Sequence, residues 1–263
     1  MSSKRESLIR AASKGQIEVF KSLLQPDQPS SLQEANITLE KLAAIAASQY
    51  HARLLKFCVG LGASVNNDAV RSGALKSSSL NVYKAIVPAG FDLNYDHDGT
   101  IGGPLIWATF RNDIRLASYL LEHGADVNRD LQSRIYRPLA KAAQRNSVEL
   151  IKLFIKHGAA IDHSGALIVA AEHGNLEAVQ CLVSYGAKID LIRMGDTKLY
   201  TSTDEEESAL HKAVKGGHED VVAFLVEIGA RLDLRNHKGK DALMMAVEMN
   251  NAEVFQLIYN ARK

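Results

Sequence analysis

The sequence is poor in the features that anchor, crosslink or interrupt a chain. No window approaches the roughly 20 consecutive apolar residues that a membrane span needs. The opening MSSKRESLIRAASKG has no apolar run of the signal-peptide type. The expected location is therefore cytoplasmic or nuclear, with no membrane partner. Only two cysteines occur, Cys58 and Cys181, too few for a disulfide framework. Both fall on apolar helical stripes and are expected to be buried free thiols. Five prolines and 18 glycines are spread along the chain, which leaves no long disordered linker. The net charge is +1, so any electrostatic preference must come from how charge is distributed. Reaction machinery is also scarce. There is no Gly-rich phosphate loop with a following Lys-Ser/Thr, no G-x-S-x-G and no H-E-x-x-H. The nine histidines have no cysteine or carboxylate cluster at ligand spacing, so neither a metal nor a cofactor is expected.

What the chain does have is a recurring helical module, clearest at Gly103 to Asn128, GPLIWATFRNDIRLASYLLEHGADVN. Pro104 stands in the first turn of a helix, where its missing N–H costs nothing. Leu105, Ala108 and Thr109 put small or apolar groups on one face. Asn112-Asp113 ends that helix and starts the next. Leu116, Ala117, Leu120 and Leu121 form an apolar stripe of helical period, and Gly124 stops it. Neither helix is long enough to persist alone in water, so the module needs neighbours like itself.

The rest of the chain supplies them. Stop glycines recur in GLGASVN (60–66), PAGFDLN (88–94), KHGAAID (156–162), SYGAKID (184–190) and EIGARLD (227–233). Leu105, Leu139, Leu167 and Leu210 each stand nineteen residues before Gly124, Gly158, Gly186 and Gly229. This pattern resembles the ankyrin repeat, with its proline-leucine opening, small-residue first helix, apolar second helix and G-A-D-V-N exit. The resemblance covers nearly the whole chain. It implies an all-α solenoid of helix-turn-helix units with short β-hairpin tips, curved into an open crescent.

About eight units are expected, near residues 6–27, 38–66, 68–94, 100–128, 134–162, 164–190, 206–233 and 239–262, as a single array over 1–263. Residues 25–31, QPDQPSS, read as a loop. The third unit should be the least regular, because SSS replaces its turn glycine and Pro88 lies near the end of its second helix. A long insertion at 191–207 carries the acidic run Asp204 to Glu207 and reads as an extended hairpin or mobile loop. The first and last units carry polar flanks, as terminal caps should. With the starting methionine these flanks make a complete chain the expectation.

In ankyrin arrays the solvent side of the first helix and the hairpin tips line a concave face. Carried onto this sequence, that face holds Trp107, Phe110 and Arg111, then Lys141 and Arg145, then His173, then Lys212 and Lys215. The tip before the fifth unit adds Arg134 and Tyr136. Trp107 is the one tryptophan, and the repeat does not require it there. Tryptophan, tyrosine and arginine are the commonest binding hot spots. The expectation is a monomeric, non-catalytic protein-interaction module whose partner is another protein, held through an acidic or phosphorylated segment. Self-binding of the acidic run in the basic groove is the runner-up for the occupant. Nucleic acid is disfavoured by the near-neutral charge and the lack of a reading motif. The alternative function is a small-molecule binder or enzyme built in the irregular middle repeats, with His173, Lys141, Asp130 and Tyr136 as acid-base groups.

Overall fold

Stop glycines and helix-start residues cut the chain into short helices. The computed structural model describes residues 3–24, 30–95, 102–129, 137–192 and 207–263. Among these residues every regular element is helical. Contacts divide the chain into two compact units, the first made of residues 1–108 and 115–125, the second of residues 109–114 and 126–263.

The first unit opens with α1 (Lys4–Lys14) and α2 (Ile17–Leu24). Ser3 caps α1 in a reciprocal box with Glu6, and Gly15 ends it in the left-handed region. A short helix, α3 (Ser30–Glu34), follows. It begins inside the stretch that the prolines mark as loop. Next come α4 (Leu39–Ser48) with α5 (Ala52–Gly60), and α6 (Asp68–Ser77) with α7 (Leu80–Ile86). Pro88 converts the end of α7 into a 3-10 turn at Val87–Ala89, and Ser78 takes the left-handed stop at φ 43° that glycine takes in other units. α8 (Pro104–Phe110) and α9 (Ile114–Glu122) are the helix pair read from the 103–128 stretch.

α4 is thin because Ala43, Ala46 and Ala47 are its buried residues beside Leu42. α6 lies so close to it that a Cβ on Gly73 would stand 2.5 Å from the Ala44 carbonyl oxygen. Any side chain there would push two backbones apart. Cys58 is buried on the α5 stripe as a free thiol, and burial pushes its pKa up to about 12. Cys181, in the second unit, is also a buried free thiol.

The second unit repeats one pattern. Its pairs are α10 (Pro138–Gln144) with α11 (Val148–Lys156), α13 (Ala166–Glu172) with α14 (Leu176–Ser184), α15 (Ala209–Gly216) with α16 (Glu219–Glu227), and α17 (Ala242–Glu248) with α18 (Ala252–Ala261). The single turn α12 (Ile161–Ser164) replaces the tip before α13, where only a few residues are available. First helices stack as α10, α13, α15 and α17, and second helices as α11, α14, α16 and α18. Leu105, Leu139, Leu167 and Leu210, the residues at the fixed offset, are all buried. Each such leucine removes apolar surface worth about 1.5–3 kcal/mol from water.

Two hydrogen-bond ladders join successive helix pairs, and both begin with residue type. The first uses the last residue of successive exits from Asn66 to Asp190. Asn66 donates to the Gly90 carbonyl and accepts from the Asp92 N–H. Asn128 repeats this with Gly158 and Ala160, at 2.8 Å each. Asp162 and Asp190 have no amide N–H to give and only accept, from the Lys188 and Arg231 N–H groups. The second ladder uses the residue that enters the second helix. His51 reaches the Ser13 carbonyl, Asn175 the Ala143 and Gln144 carbonyls, and His218 the Glu172 carbonyl. These carbonyls lie in the last turn of first helices, where the regular i→i+4 donors run out. A Cβ at Gly15 or Gly174 would meet the His51 or His218 ring at 2.5 Å, so glycine makes room for the bond.

The expected β-hairpin tips are not seen among the described residues. The tip at 234–240 is a turn wound around one side chain. Asn236 Oδ1 accepts from the Lys238 and Lys240 N–H groups, and this local bonding replaces a strand ladder. The tip residues 96–101, 130–136 and the insertion residues 193–206 lie outside the described residues.

Candidate functional site: the first-helix face of the second unit

Phe110, the last residue of α8, belongs to the second unit, and its ring lies under the Lys141 ammonium at 4.5 Å. Lys141 also donates to Gln144 Oε1 at 2.7 Å. Gln144 Nε2 donates to His173 Nε2 at 2.9 Å, and His173 Nδ1 donates to the Val169 carbonyl at 2.9 Å. The assigned tautomer therefore carries its proton on Nδ1. This row crosses from α8 to α10 to α13, and each link fixes the next. Partial burial, with Arg145 nearby, lowers the Lys141 pKa from its ordinary value. Arg111 and Arg145 are exposed. Asn112 and Asn146, the residues that follow them, stop their helices with left-handed backbones. Ser147 Oγ bonds Asn112 Oδ1 at 2.6 Å across the two pairs.

Lys212 sits differently from the solvent-side position that the repeat implies. Its side chain is 6% exposed and its ammonium lies 3.1 Å from Glu172 and 3.4 Å from Glu207. The reason is that Glu207, at 4% exposure, is folded inward, where Asn236 donates to its other oxygen. Lys215 faces outward, 3.7 Å from the same Glu207. The end of the acidic run thus meets two of the cations named from sequence. Ser208 and His211 form a reciprocal cap beside it, with the Ser208 N–H on His211 Nδ1 and the His211 Nε2–H on the Leu234 carbonyl. Burial lowers the His211 pKa, against the opposing pull of Glu207. Sequence reasoning missed this cluster, because its members are drawn together from 172, 207, 211, 212 and 236.

Trp107 is half-buried on α8 and belongs to the first unit. Arg134 and Tyr136 lie outside the described residues, as does Asp130 of the enzymatic alternative. The remaining acid-base candidates of that alternative, Lys141 and His173, are committed to Gln144 and Val169. Among the described residues, no group of three His, Cys, Asp or Glu side chains is placed to hold a metal, and no helix is long and apolar enough to cross a membrane.

Short paired helices, an offset leucine core and side-chain ladders from pair to pair define a helical repeat protein of the stacked-hairpin class. The model for ankyrin repeats (three copies) matches residues 105–193 and again 190–263, and the chain belongs to the ankyrin repeat family. Its repeats make it a protein–protein interaction module. It is 32% identical over 97 residues to the probable E3 ubiquitin-protein ligase XBOS32 of Oryza sativa subsp. japonica, a match covering 36% of this chain and 18% of that protein. It is 33% identical over 89 residues to the putative ankyrin repeat protein L271 of Acanthamoeba polyphaga mimivirus, covering 34% and 11%. It is 35% identical over 117 residues to Protein HOS4 of Saccharomyces cerevisiae, covering 36% and 11%. The matched stretch spans less than a fifth of each relative's own length.

Proposed function

We propose that this chain is a non-catalytic docking module that takes an acidic or phosphorylated segment of a partner protein against its basic, aromatic-bearing first-helix face. The supporting observation is the Phe110–Lys141–Gln144–His173 row, a line of polar and aromatic side chains already held in place before any partner arrives. Side chains fixed in advance lose little entropy on binding. Arg111 and Arg145 flank the row as exposed cations that pair bidentately with carboxylate or phosphate. Lys215 extends the positive edge, while Lys212 serves as the buried counter-charge of Glu207. Of the other residues read from sequence, Trp107 belongs to the first unit, and Arg134 and Tyr136 lie outside the described residues. The module acts as a monomer in the cytosol or nucleus.

The test is binding to an array of acidic and phosphorylated peptides, with neutral scrambled controls. Arg111→Glu with Arg145→Glu is expected to weaken retention of acidic peptides at least tenfold while the melting temperature stays within a degree or two. Equal retention by the double variant and the wild type would remove the reading.

A further inference from the structure

A second basic surface lies in the first unit, on the second-helix side. Here the turn of α1–α2 at Gly15 and the helices α5 and α7 surround a wide-mouthed hollow of about 520 Å³. Its polar lining is His51, Arg53, Lys56, Asn81, Lys84 and Tyr50, and no carboxylate lines it. Arg53 and Lys56 stand three residues apart on one face of α5, with Lys84 across from them on α7. None of the three forms an ion pair within the described residues.

A register comparison within the chain sets this surface apart. The second residue of most second helices is acidic: Glu18, Glu149, Glu177, Asp220 and Glu253. In α5, α7 and α9 the same position holds Arg53, Asn81 and Arg115. Two of these, Arg53 and Asn81, line the hollow. In the first unit α2 keeps Glu18, while the next three second helices carry a cation or an amide at that position. Cations gathered without a counter-charge repel one another, and an anion brought into the hollow would relieve that repulsion.

We propose that this hollow is a binding site for a phosphorylated side chain carried by a peptide segment of a partner protein. The charge count selects this ligand. A phosphoryl group brings about −1.5 to −2 charges, which the three cations more than offset, whereas a small molecule with several phosphates brings more negative charge than the three can neutralise. The hollow falls within the ~300–1,000 Å³ range of small-ligand sites, and its wide mouth lets flanking residues run out over the surface. Arg53 offers a planar fork for two phosphoryl oxygens, Lys56 and Lys84 offer point charges, and the Asn81 amide offers a donor. Tyr50 is exposed at the rim on a left-handed turn, φ 65°, where its ring can cover the residue beside the phosphate. A nucleic acid would need a longer basic stripe than this single hollow gives.

The experiment uses the whole chain and degenerate phosphoserine, phosphothreonine and phosphotyrosine peptide libraries, each with its unphosphorylated counterpart. Inositol hexakisphosphate and a single-stranded oligonucleotide serve as competing polyanions. One phospho-library should be retained at least tenfold over its counterpart, and its binding should shift backbone amide signals of Arg53, Lys56, Asn81 and Lys84. Arg53→Glu with Lys84→Glu should remove that preference, and Arg53→Lys should keep part of it. All three side chains reach solvent, so folding should persist, and the milder Lys56→Ala should weaken retention a few-fold if the double variant melts early. The Arg111→Glu, Arg145→Glu variant should leave this preference intact, which separates this site from the first-helix face. Equal retention of phosphorylated and unphosphorylated libraries, stronger capture of either competitor, or unchanged binding by the Arg53→Glu, Lys84→Glu variant would overturn the proposal.

Discussion

The two units hold their first helices together by different means. In the first, α4 and α6 run to 10 residues each and meet through alanines and Gly73, with backbone almost touching backbone. In the second, α13 and α15 are shorter and carry larger groups, and a buried charge cluster bridges them: Glu172 on α13, Lys212 on α15, and Glu207 just before α15. Small residues let dispersion and close approach do the joining. Where side chains are longer, the helices stand further apart and the gap must be filled by groups that satisfy one another. One repeat pattern therefore tolerates two kinds of joint, and the two should fail differently.

The charge joint should show the largest effect. Lys212→Met leaves the buried Glu207 with only the outward-facing Lys215 at 3.7 Å, and removing one partner of a buried pair costs up to about 3–5 kcal/mol. Urea unfolding of the variant should show that loss, and a change under 1 kcal/mol would mean that the cluster is solvated. The packing joint comes next. Gly73→Ala forces a methyl against the Ala44 carbonyl and should cost about 1–3 kcal/mol, the range for overpacking, with no dependence on salt. If the alanine variant is as stable as the parent, the close approach of α4 and α6 is wrong. A smaller effect should follow pH. The folded state holds the His211 pKa below its ordinary 6.5, so folding is strongest while this residue is neutral, above about pH 6.5. As pH falls below that value the unfolded chain takes the proton first and stability declines toward the lower folded pKa. His211→Gln should flatten the decline over that window, as read by denaturant midpoints at fixed pH.

The stop glycines, the offset leucines and the alternation of short helices were legible in the chain, because each is a local demand. Gly124 must take φ near +98° to end α9, and Leu139 or Leu210 must be apolar to sit in the core. The charge cluster was not legible. Lys212 reads as a solvent-side residue by position, and only Glu207 and Glu172, five and forty positions away, turn it inward. The helix at Ser30–Glu34 was hidden by the prolines just before it. Tip geometry was misread for a related reason. The Asn236 side chain takes the Lys238 and Lys240 amides, and backbone bonds from Asn236 to Lys240 and from Gly239 to Asn236 close the turn without a strand ladder. The loss of negative charge at Arg53 and Asn81 was open to inspection, since acidic residues at the matching position of other second helices are visible without coordinates.

The central claim is that the ordered cationic face of the second unit, and not the fold as such, selects the partner. Affinity capture from source extract should compare the wild type with Arg111→Glu plus Arg145→Glu at equal folded fraction. The account predicts that the wild type retains a defined partner and that the double variant loses most of it. Recovery of the same partner in the same amount by both proteins would contradict it.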